Sequence, residues 1–221
     1  MKIAVHQPNF LPYLGYFDKA RQVDIFVIFD DVQFTPRGYT NRNKIKKPNG
    51  TIWLTVPITG DRMAPINEIR IADHVEWQEK HLKTLKHMYG KSDYYEIIIP
   101  RFQEIYDKGY TYLAEFNIDL LELCFELLGI TTKMVFSSNL DIIAEDGNQR
   151  ILKICKKLEA DKYLSGESGR DYLELSSFQE SGISVEFLDF SHPVYEQQFG
   201  DFIPNLSIID YLMNEGPKKF W

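Results

Sequence analysis

The chain has 221 residues, of which 44% are hydrophobic and 26% are charged, and this composition indicates a globular protein of one domain or one domain with an insertion. Its formal net charge of −7 argues against a general nucleic-acid binder, since such proteins carry a basic surface. The first residues lack the apolar core of a signal peptide, and no run of about 18 apolar residues exists to span a bilayer, so we expect a cytoplasmic protein without a membrane span.

The first elements predict a strand–helix–strand unit and a hairpin. The unit comprises a strand at Lys2 to Val5, a helix at Leu11 to Arg21 and a continuously apolar strand at Ile25 to Phe29. Such a unit has a right-handed crossover. Asn49-Gly50 then separates Lys44 to Lys47 from Thr51 to Pro57, which is typical of two antiparallel strands.

The remaining elements predict a helical insertion followed by further α/β alternation. Helices are predicted at Trp77 to Tyr89, Ile97 to Tyr106 and Tyr112 to Leu128, with Gly129 as a C-cap. The later elements are strand Lys133 to Phe136, helix Asn148 to Leu158, strand Lys162 to Leu164, a helical stretch at Asp171 to Gln179, strand Ser184 to Leu188 and a closing helix at Ser207 to Asn214. We therefore predict a single α/β domain over residues 1–221, with a Rossmann-like parallel sheet, a small β-hairpin and a mostly helical insertion at about 74–129.

Three polar side chains, His6, Gln7 and Asn9, follow the first strand directly. The carboxyl end of such a strand borders the ligand crevice of an α/β sheet, and the next helix turns its N–H groups toward that crevice. Two prolines fix the turn, and Gly15 lets the helix approach a ligand closely. We predict His6 as an acid/base residue and Gln7, Asn9 and Gly15 as nucleotide contacts, although a lone histidine after a strand is more often structural.

Two carboxylates, Asp30 and Asp31, end the second strand. We predict that Asp30 is catalytic and that Asp31 contacts the substrate. Adjacent side chains of a strand point to opposite faces, and Asp is common where a strand ends in a turn, so one of the two can be structural. No His/Cys/Asp cluster has metal-ligand spacing, and no metal site is predicted.

A basic segment follows the second strand in this acidic chain. Arg42 and Lys44 suit a phosphate, because a guanidinium offers a planar fork of donors and an ammonium offers a point charge. Asn41 and Asn43 are predicted to contact substrate hydroxyls. The alternative is a solvated loop and hairpin face, which is the usual role of a charge run.

Two further loops contain candidate residues. Ser165, Gly166, Gly169 and Arg170 lie between a short strand and a helix, where backbone N–H groups and one guanidinium can bind an anion, although the loop matches neither a P-loop nor a GxGxxG fingerprint. His192, Tyr195 and Gln197 follow the last strand, where His192 is an alternative acid/base and Tyr195 a stacking platform, with Gln197 as a substrate contact; a packed loop that closes the sheet edge is an equal alternative. No GxSxG elbow is present, and Cys124 and Cys155 lie in apolar helical patterns typical of buried free thiols.

Several segments resemble the WbqC-like family in the same order along the chain. They are HQPNFLPYLGYFDK, FDDVQF, NRNKIK, WLTVPI, YLSGESGRDYL, HPVYEQ and FIPNLSIIDYLMNEG. The resemblance implies an association with bacterial surface-polysaccharide and O-antigen pathways, in which amino sugars carry acyl or aminoacyl groups. The first turn also resembles nucleotidyltransferases of the HIGH signature, but Tyr16 stands where their second histidine is expected.

Together these observations predict an enzyme that transfers an acyl or aminoacyl group from a small donor to the amine of a nucleotide-linked amino sugar. His6 or His192 would take the amine proton, while Arg42, Lys44 and Arg170 would hold phosphates in one cleft. By analogy of fold, ATP would activate a carboxylic acid as an acyl-adenylate. A glycosyltransferase that uses a nucleotide-sugar and a non-catalytic binder of sugar nucleotides or partners are the alternatives, and the oligomeric state is left open.

Overall fold

A computed structural model describes all residues from Met1 to Trp221. The chain divides into two compact units. The first unit consists of Met1–Gln7, Asp18–Asp31 and Thr131–Ser191, and the second of Pro8–Phe17, Val32–Ile130 and His192–Trp221. The second unit is broader than the predicted helical insertion, because it also contains the hairpin and the C-terminal helix.

The predicted α/β fold with a small hairpin is confirmed. In chain order the strands are β1 (Lys2–His6), β2 (Ile25–Ile28), β3 (Arg42–Lys47), β4 (Gly50–Thr55), β5 (Ile58–Thr59), β6 (Arg70–Ile71), β7 (Lys133–Phe136), β8 (Lys162–Ser165) and β9 (Ser184–Phe187). The helices are α1 (Leu14–Arg21), α2 (Trp77–Tyr89), α3 (Tyr95–Tyr106), α4 (Leu113–Leu128), α5 (Gly147–Lys157), α6 (Leu175–Glu180) and α7 (Ile208–Glu215). Short 3₁₀ turns lie at Ile66–Glu68, Ser137–Leu140 and Glu167–Asp171.

The first unit contains a five-stranded parallel sheet in the order β7-β2-β1-β8-β9. The chain moves outward from β1 through β2 to β7 and then returns to the other side of β1 at β8. The strand order therefore reverses between β1 and β8, and α/β sheets bind ligands outside the carboxyl ends of strands at such a point. In this sheet the strands that flank the reversal end at His6 and Ser165.

The core of the first unit follows from the apolar strands. Ile3 and Val27 are at most slightly exposed, as expected for central parallel strands that are covered on both faces. Helix α5 packs Ile151, Ile154 and Cys155 into the same cluster. This packing fixes the strand ends that carry the candidate residues.

The second unit contains the antiparallel hairpin β3–β4, in which Lys47 lies opposite Gly50. Pro48 and Asn49 therefore form the turn, one residue earlier than the Asn49-Gly50 signal indicates, and Asn49 has the positive φ of 61° that asparagine tolerates. A second small ladder joins β5 and β6.

The second unit also contains α2, α3, α4 and α7. Helix α2 has the predicted bounds, and α4 ends at Gly129, whose φ of 66° is the left-handed C-cap conformation. Trp77, Tyr106 and Phe116 form an aromatic cluster between these helices. None of the helices combines the length and apolar character that crossing a bilayer requires.

The segment that precedes α1 is held by a distant strand and helix of the same unit. Leu11 has a φ of 43°, so α1 begins only at Leu14, three residues later than predicted. The Leu11 carbonyl accepts hydrogen bonds from Asn43 Nδ2 at 2.7 Å and from Ser207 Oγ at 2.9 Å. These two donors compensate a backbone conformation that costs about 1–2 kcal/mol for a residue with a side chain.

Candidate functional site

His6 lies at the carboxyl end of β1, the central strand of the parallel sheet. Its Nδ1 is 3.3 Å from the Gln7 carbonyl oxygen, and because a carbonyl only accepts, this contact assigns the ring proton to Nδ1 and leaves Nε2 as the basic nitrogen. Burial, together with the nearby Lys19, lowers the pKa of His6 to about 3. The imidazole is therefore neutral at physiological pH.

Lys19 is a buried lysine of the first unit that the sequence analysis did not identify. It is 4% exposed, and its Nζ donates to the carbonyl oxygen of Val5 at 2.9 Å. Burial lowers its pKa to about 7. Helical spacing could have indicated this burial. Lys19 follows the buried Gly15 and Tyr16 by four and three residues and so shares their face of α1.

The other predicted residues of the first turn have different surroundings. Gln7 and Asn9 are partly exposed. A Cβ at Gly15 would lie 2.4 Å from the ring of Tyr13, so glycine is required there to make room for that aromatic side chain. Their predicted contacts with a nucleotide stay predictions.

The two carboxylates at the end of β2 bind the turn that follows β7. Asp30 is buried and accepts hydrogen bonds from the hydroxyl of Ser138 at 2.7 Å and from the Ser138 backbone N–H at 3.1 Å. Asp31 accepts hydrogen bonds from Ser137 Oγ and forms an ion pair with Arg150. Both carboxylates therefore have partners that fix the strand end, and the catalytic role of Asp30 and the substrate role of Asp31 stay predictions.

The predicted anion loop after β8 forms a 3₁₀ turn. Gly169 packs against Ser165, and a Cβ at Gly169 would lie 1.9 Å from Ser165 Oγ. The Arg170 Nε donates to Glu167 at 2.7 Å, and its guanidinium lies 4.1 Å from the ring of Phe187. Arg170 thus already has a carboxylate partner, while the partly exposed Gly166 leaves the loop open to solvent.

In the second unit, Tyr195 and Gln197 belong to a buried network around Asp210. Asp210 accepts hydrogen bonds from Tyr195 at 2.9 Å, from Gln197 at 2.8 Å and from Tyr89 at 2.7 Å. Burial raises the pKa of Asp210 in spite of these donors. The network gives Tyr195 and Gln197 a structural role, and their substrate contacts stay predictions.

Lys46 joins the same network from the hairpin. It is 1% exposed, and its ammonium donates to Gln197 Oε1 and to the Gly200 carbonyl, each at 3.1 Å. His192 lies at the edge of the network, where its ring stacks on Tyr195 and burial lowers its pKa. Helix periodicity and hairpin alternation could not identify Lys46 and Asp210 as partners, because they are far apart in sequence.

The predicted hairpin residues separate into two groups. Asn43 uses both polar atoms within the protein, since Nδ2 donates to Leu11 and Oδ1 accepts from the Lys44 N–H at 2.8 Å. Asn41 and Arg42 instead line a cavity of about 350 Å³. The Lys44 ammonium lies 5.0 Å from the ring of Trp53 and does not line this cavity.

The predicted site residues are distributed over both units. The first unit contains His6, Gln7, Asp30, Asp31, Ser165, Gly166, Gly169 and Arg170. The second contains Asn9, Gly15, Asn41, Arg42, Asn43, Lys44, His192, Tyr195 and Gln197. The single cleft predicted for them therefore stays a prediction.

Comparison with known proteins gives the ancestry of the chain. The model of the WbqC-like protein family matches residues 7–220. The chain belongs to the WbqC-like family. An uncharacterized protein of Mycobacterium tuberculosis is 35% identical to this WbqC-like protein over 219 residues, which cover 97% of this chain and 94% of the relative.

Two arginines of this WbqC-like protein were missed as candidate site residues. Arg37 and Arg62 line the same cavity as Arg42. Arg37 precedes Arg42 by five residues in the same basic segment, but Arg62 lies on a separate loop, after β5. Only the fold brings the two loops together.

Proposed function

We propose that this WbqC-like protein is an enzyme that transfers an acyl or aminoacyl group to the amine of a nucleotide-linked amino sugar. The observation that carries the proposal is the position of His6, a neutral imidazole at the carboxyl end of β1 and beside the reversal of strand order. Sheets of this order bind their ligands at that edge. The neighbouring end of β8 supplies the partly exposed Gly166, where a ligand can approach the backbone.

In the proposed reaction, the amine nitrogen attacks the acyl carbonyl carbon. Nε2 of His6 accepts the amine proton as the C–N bond forms, and the bond between the acyl carbon and its leaving group breaks, with the leaving group keeping the electron pair. A free carboxylic acid would need prior activation by ATP as an acyl-adenylate, and AMP would then be the leaving group. His192 is the alternative proton acceptor, because its imidazole is partly exposed in the loop after the last strand.

A thermal-shift panel tests the substrate class. The protein is melted with UDP- and dTDP-linked amino sugars, with ATP and with small amino acids. A ligand at 100 times its dissociation constant stabilises the native state by about 2.7 kcal/mol, which is a shift of several degrees. The absence of a shift with every nucleotide would remove the support for the proposal.

A second experiment tests the reaction itself. Mass spectrometry of the sugar nucleotide after incubation with acyl donors reports the added group, whereas a glycosyltransferase would release the free nucleotide and a binder would leave the sugar nucleotide unchanged. We expect His6→Ala to lower turnover by about 10²–10⁴-fold, as for loss of a general base. His74→Ala is the matched control, because His74 is exposed and lies in the other unit. Full activity of a folded His6→Ala protein would shift the role to His192.

A further inference from the structure

The cavity of the second unit is lined by three arginines and by no carboxylate. Its cationic side chains are Arg37, Arg42 and Arg62, and its apolar wall includes Phe34 and Val56. With a volume of about 350 Å³, it has the size of a site for one small molecule. No Asp or Glu is among its lining residues.

The charges of these arginines are not neutralised within the protein. None of the three belongs to an ion pair of the structure. Arg42 is held instead by uncharged groups, since it donates to the carbonyls of Gly38 and Arg37 and its guanidinium lies 4.2 Å from the ring centroid of Trp53. These contacts fix the orientation of the guanidinium and leave its positive charge in place.

Arg37 occupies a backbone position that normally selects glycine or asparagine. The Gly38 N–H donates to the Thr35 carbonyl at 3.1 Å, which closes a four-residue turn, and Arg37 at its third position has a φ of 65°. A residue with a side chain pays about 1–2 kcal/mol for this conformation. Strain of this kind persists where it places a side chain usefully, and here the side chain lines the cavity.

Hydrogen bonds connect the segments that form the wall of the cavity. The Val56 N–H donates to the Asn41 carbonyl at 2.8 Å, and Asn41 Nδ2 donates to the Val56 carbonyl at 3.0 Å. On the other side, the Phe34 N–H donates to the Ala64 carbonyl at 3.0 Å. Hydrogen bonds within the protein thus join the segments that carry Arg37, Arg42 and Arg62.

We propose that this cavity binds a phosphate-bearing ligand, with Arg37, Arg42 and Arg62 contacting a diphosphate group. A carboxylate carries one charge and would leave two guanidinium charges unbalanced, whereas a diphosphate carries two or three and offers oxygens to several bidentate donors. The apolar wall accommodates the uncharged part of the ligand. This inference stands on the second unit alone and does not depend on the proposed acyl transfer.

Isothermal titration calorimetry with inorganic pyrophosphate, UDP and acetate tests the site. We expect pyrophosphate and UDP to bind, with affinity falling as salt rises, and acetate to bind at least tenfold more weakly. Equal binding of acetate and pyrophosphate, or no binding of either phosphate compound, would overturn the proposal. Pyrophosphate and UDP contain no acyl donor or amino sugar, so failure here would remove this anion site only, and the proposed reaction is tested separately with the nucleotide-linked amino sugars.

Variants locate the binding to this cavity. Arg62→Gln and Arg42→Gln should each weaken pyrophosphate binding at least tenfold, and Arg62 is the cleaner probe because it has no ion pair or hydrogen bond to lose. Arg101→Gln is the matched control, since Arg101 lies in the same unit but pairs with Glu126 on α4. Unchanged affinity in a folded Arg62→Gln protein, or an equal loss in Arg101→Gln, would refute the assignment.

Discussion

The ammonium of Lys19 donates a hydrogen bond to the carbonyl oxygen of Val5 at 2.9 Å, although Lys19 is only 4% exposed. The acceptor is a neutral backbone group at the end of a strand, so the positive charge has no carboxylate to compensate its burial. Burial accordingly lowers the pKa of Lys19 to about 7. Near pH 7, Lys19 is therefore deprotonated in about half of the molecules. It lies beside the strand end that carries His6.

Stability should depend on pH through Lys19. The pKa is about 7 in the native state and 10.5 in the unfolded chain, so the unfolded state binds more protons between these values and the free energy of unfolding rises with pH across this window. Lys19→Met should remove the rise and stabilise the protein at pH 6 by up to about 5 kcal/mol. Urea unfolding of both proteins at pH 6, 8 and 10 measures the difference, which should shrink as pH rises. A constant difference at all three pH values would contradict the assigned pKa.

His6 should control stability in acid. Its pKa falls from 6.5 to about 3 on folding, so the unfolded chain takes up a proton first and native stability is lost as pH falls from 6.5 toward 3. At pH 4.5 this loss is at most about 2.7 kcal/mol relative to pH 7. Between pH 7 and pH 4.5, the free energy of unfolding of His6→Gln should therefore fall by up to about 2.7 kcal/mol less than that of the wild type. Parallel acid-unfolding curves for the two proteins would show that His6 is not buried as a neutral ring.

Asp210 should be a stability residue of the second unit. Asp210→Asn keeps the shape but places an NH₂ group against side chains that already donate to this position, those of Tyr89, Tyr195 and Gln197. We expect a loss of about 2–4 kcal/mol in the free energy of unfolding, because buried donors lose their acceptor and the buried Lys46 loses a nearby negative charge. Chemical unfolding measures the loss, with Asp73→Asn as the control. Asp73 is exposed, so this variant should have the same free energy of unfolding as the wild type.

The turn after β8 should require glycine at position 169. A Cβ there would lie 1.9 Å from Ser165 Oγ, and Ser165 is buried, so Gly169→Ala should destabilise the protein by about 1–3 kcal/mol through overpacking. Removing the hydroxyl with Ser165→Ala should recover part of that loss in the double variant. Thermal unfolding of the two single variants and the double variant completes the cycle. Simple additivity of the two changes would mean that the hydroxyl does not cause the clash.

The elements of the fold could be predicted because their signals are local. The continuous apolar run at Ile25–Ile28 indicated a buried parallel strand, and helical spacing predicted the bounds of α2. The hairpin was recognised from Asn49-Gly50, with an error of one residue in the turn because Asn49 itself takes the positive φ. Strand order could not be predicted in this way, since Ile3 pairs with Tyr163, far along the chain.

The candidate site was predictable only where a residue follows directly from a strand. His6 could be placed at a strand end because its neighbours in sequence define that end. The burial of Lys46 could not be predicted from the sequence. Its three hydrogen-bond partners lie more than 150 residues away, and the hairpin pattern alone predicts a solvated lysine. Arg62 was missed for the same reason, since its loop reaches the cavity only through tertiary contacts with the Phe34 segment.

The two donors to the Leu11 carbonyl have a consequence for how the protein is made. Asn43 is synthesised soon after Leu11, but Ser207 follows Leu11 by 196 residues. The Ser207 N–H also donates to the Lys44 carbonyl, and the Ile208 N–H donates to the Pro12 carbonyl, each at 2.8 Å. Three early carbonyl groups therefore find these donors only after the Ser207 segment has been synthesised. The nascent chain can thus form its earlier helices and its hairpin during synthesis, yet the second unit closes only after the segment around Ser207 has been synthesised.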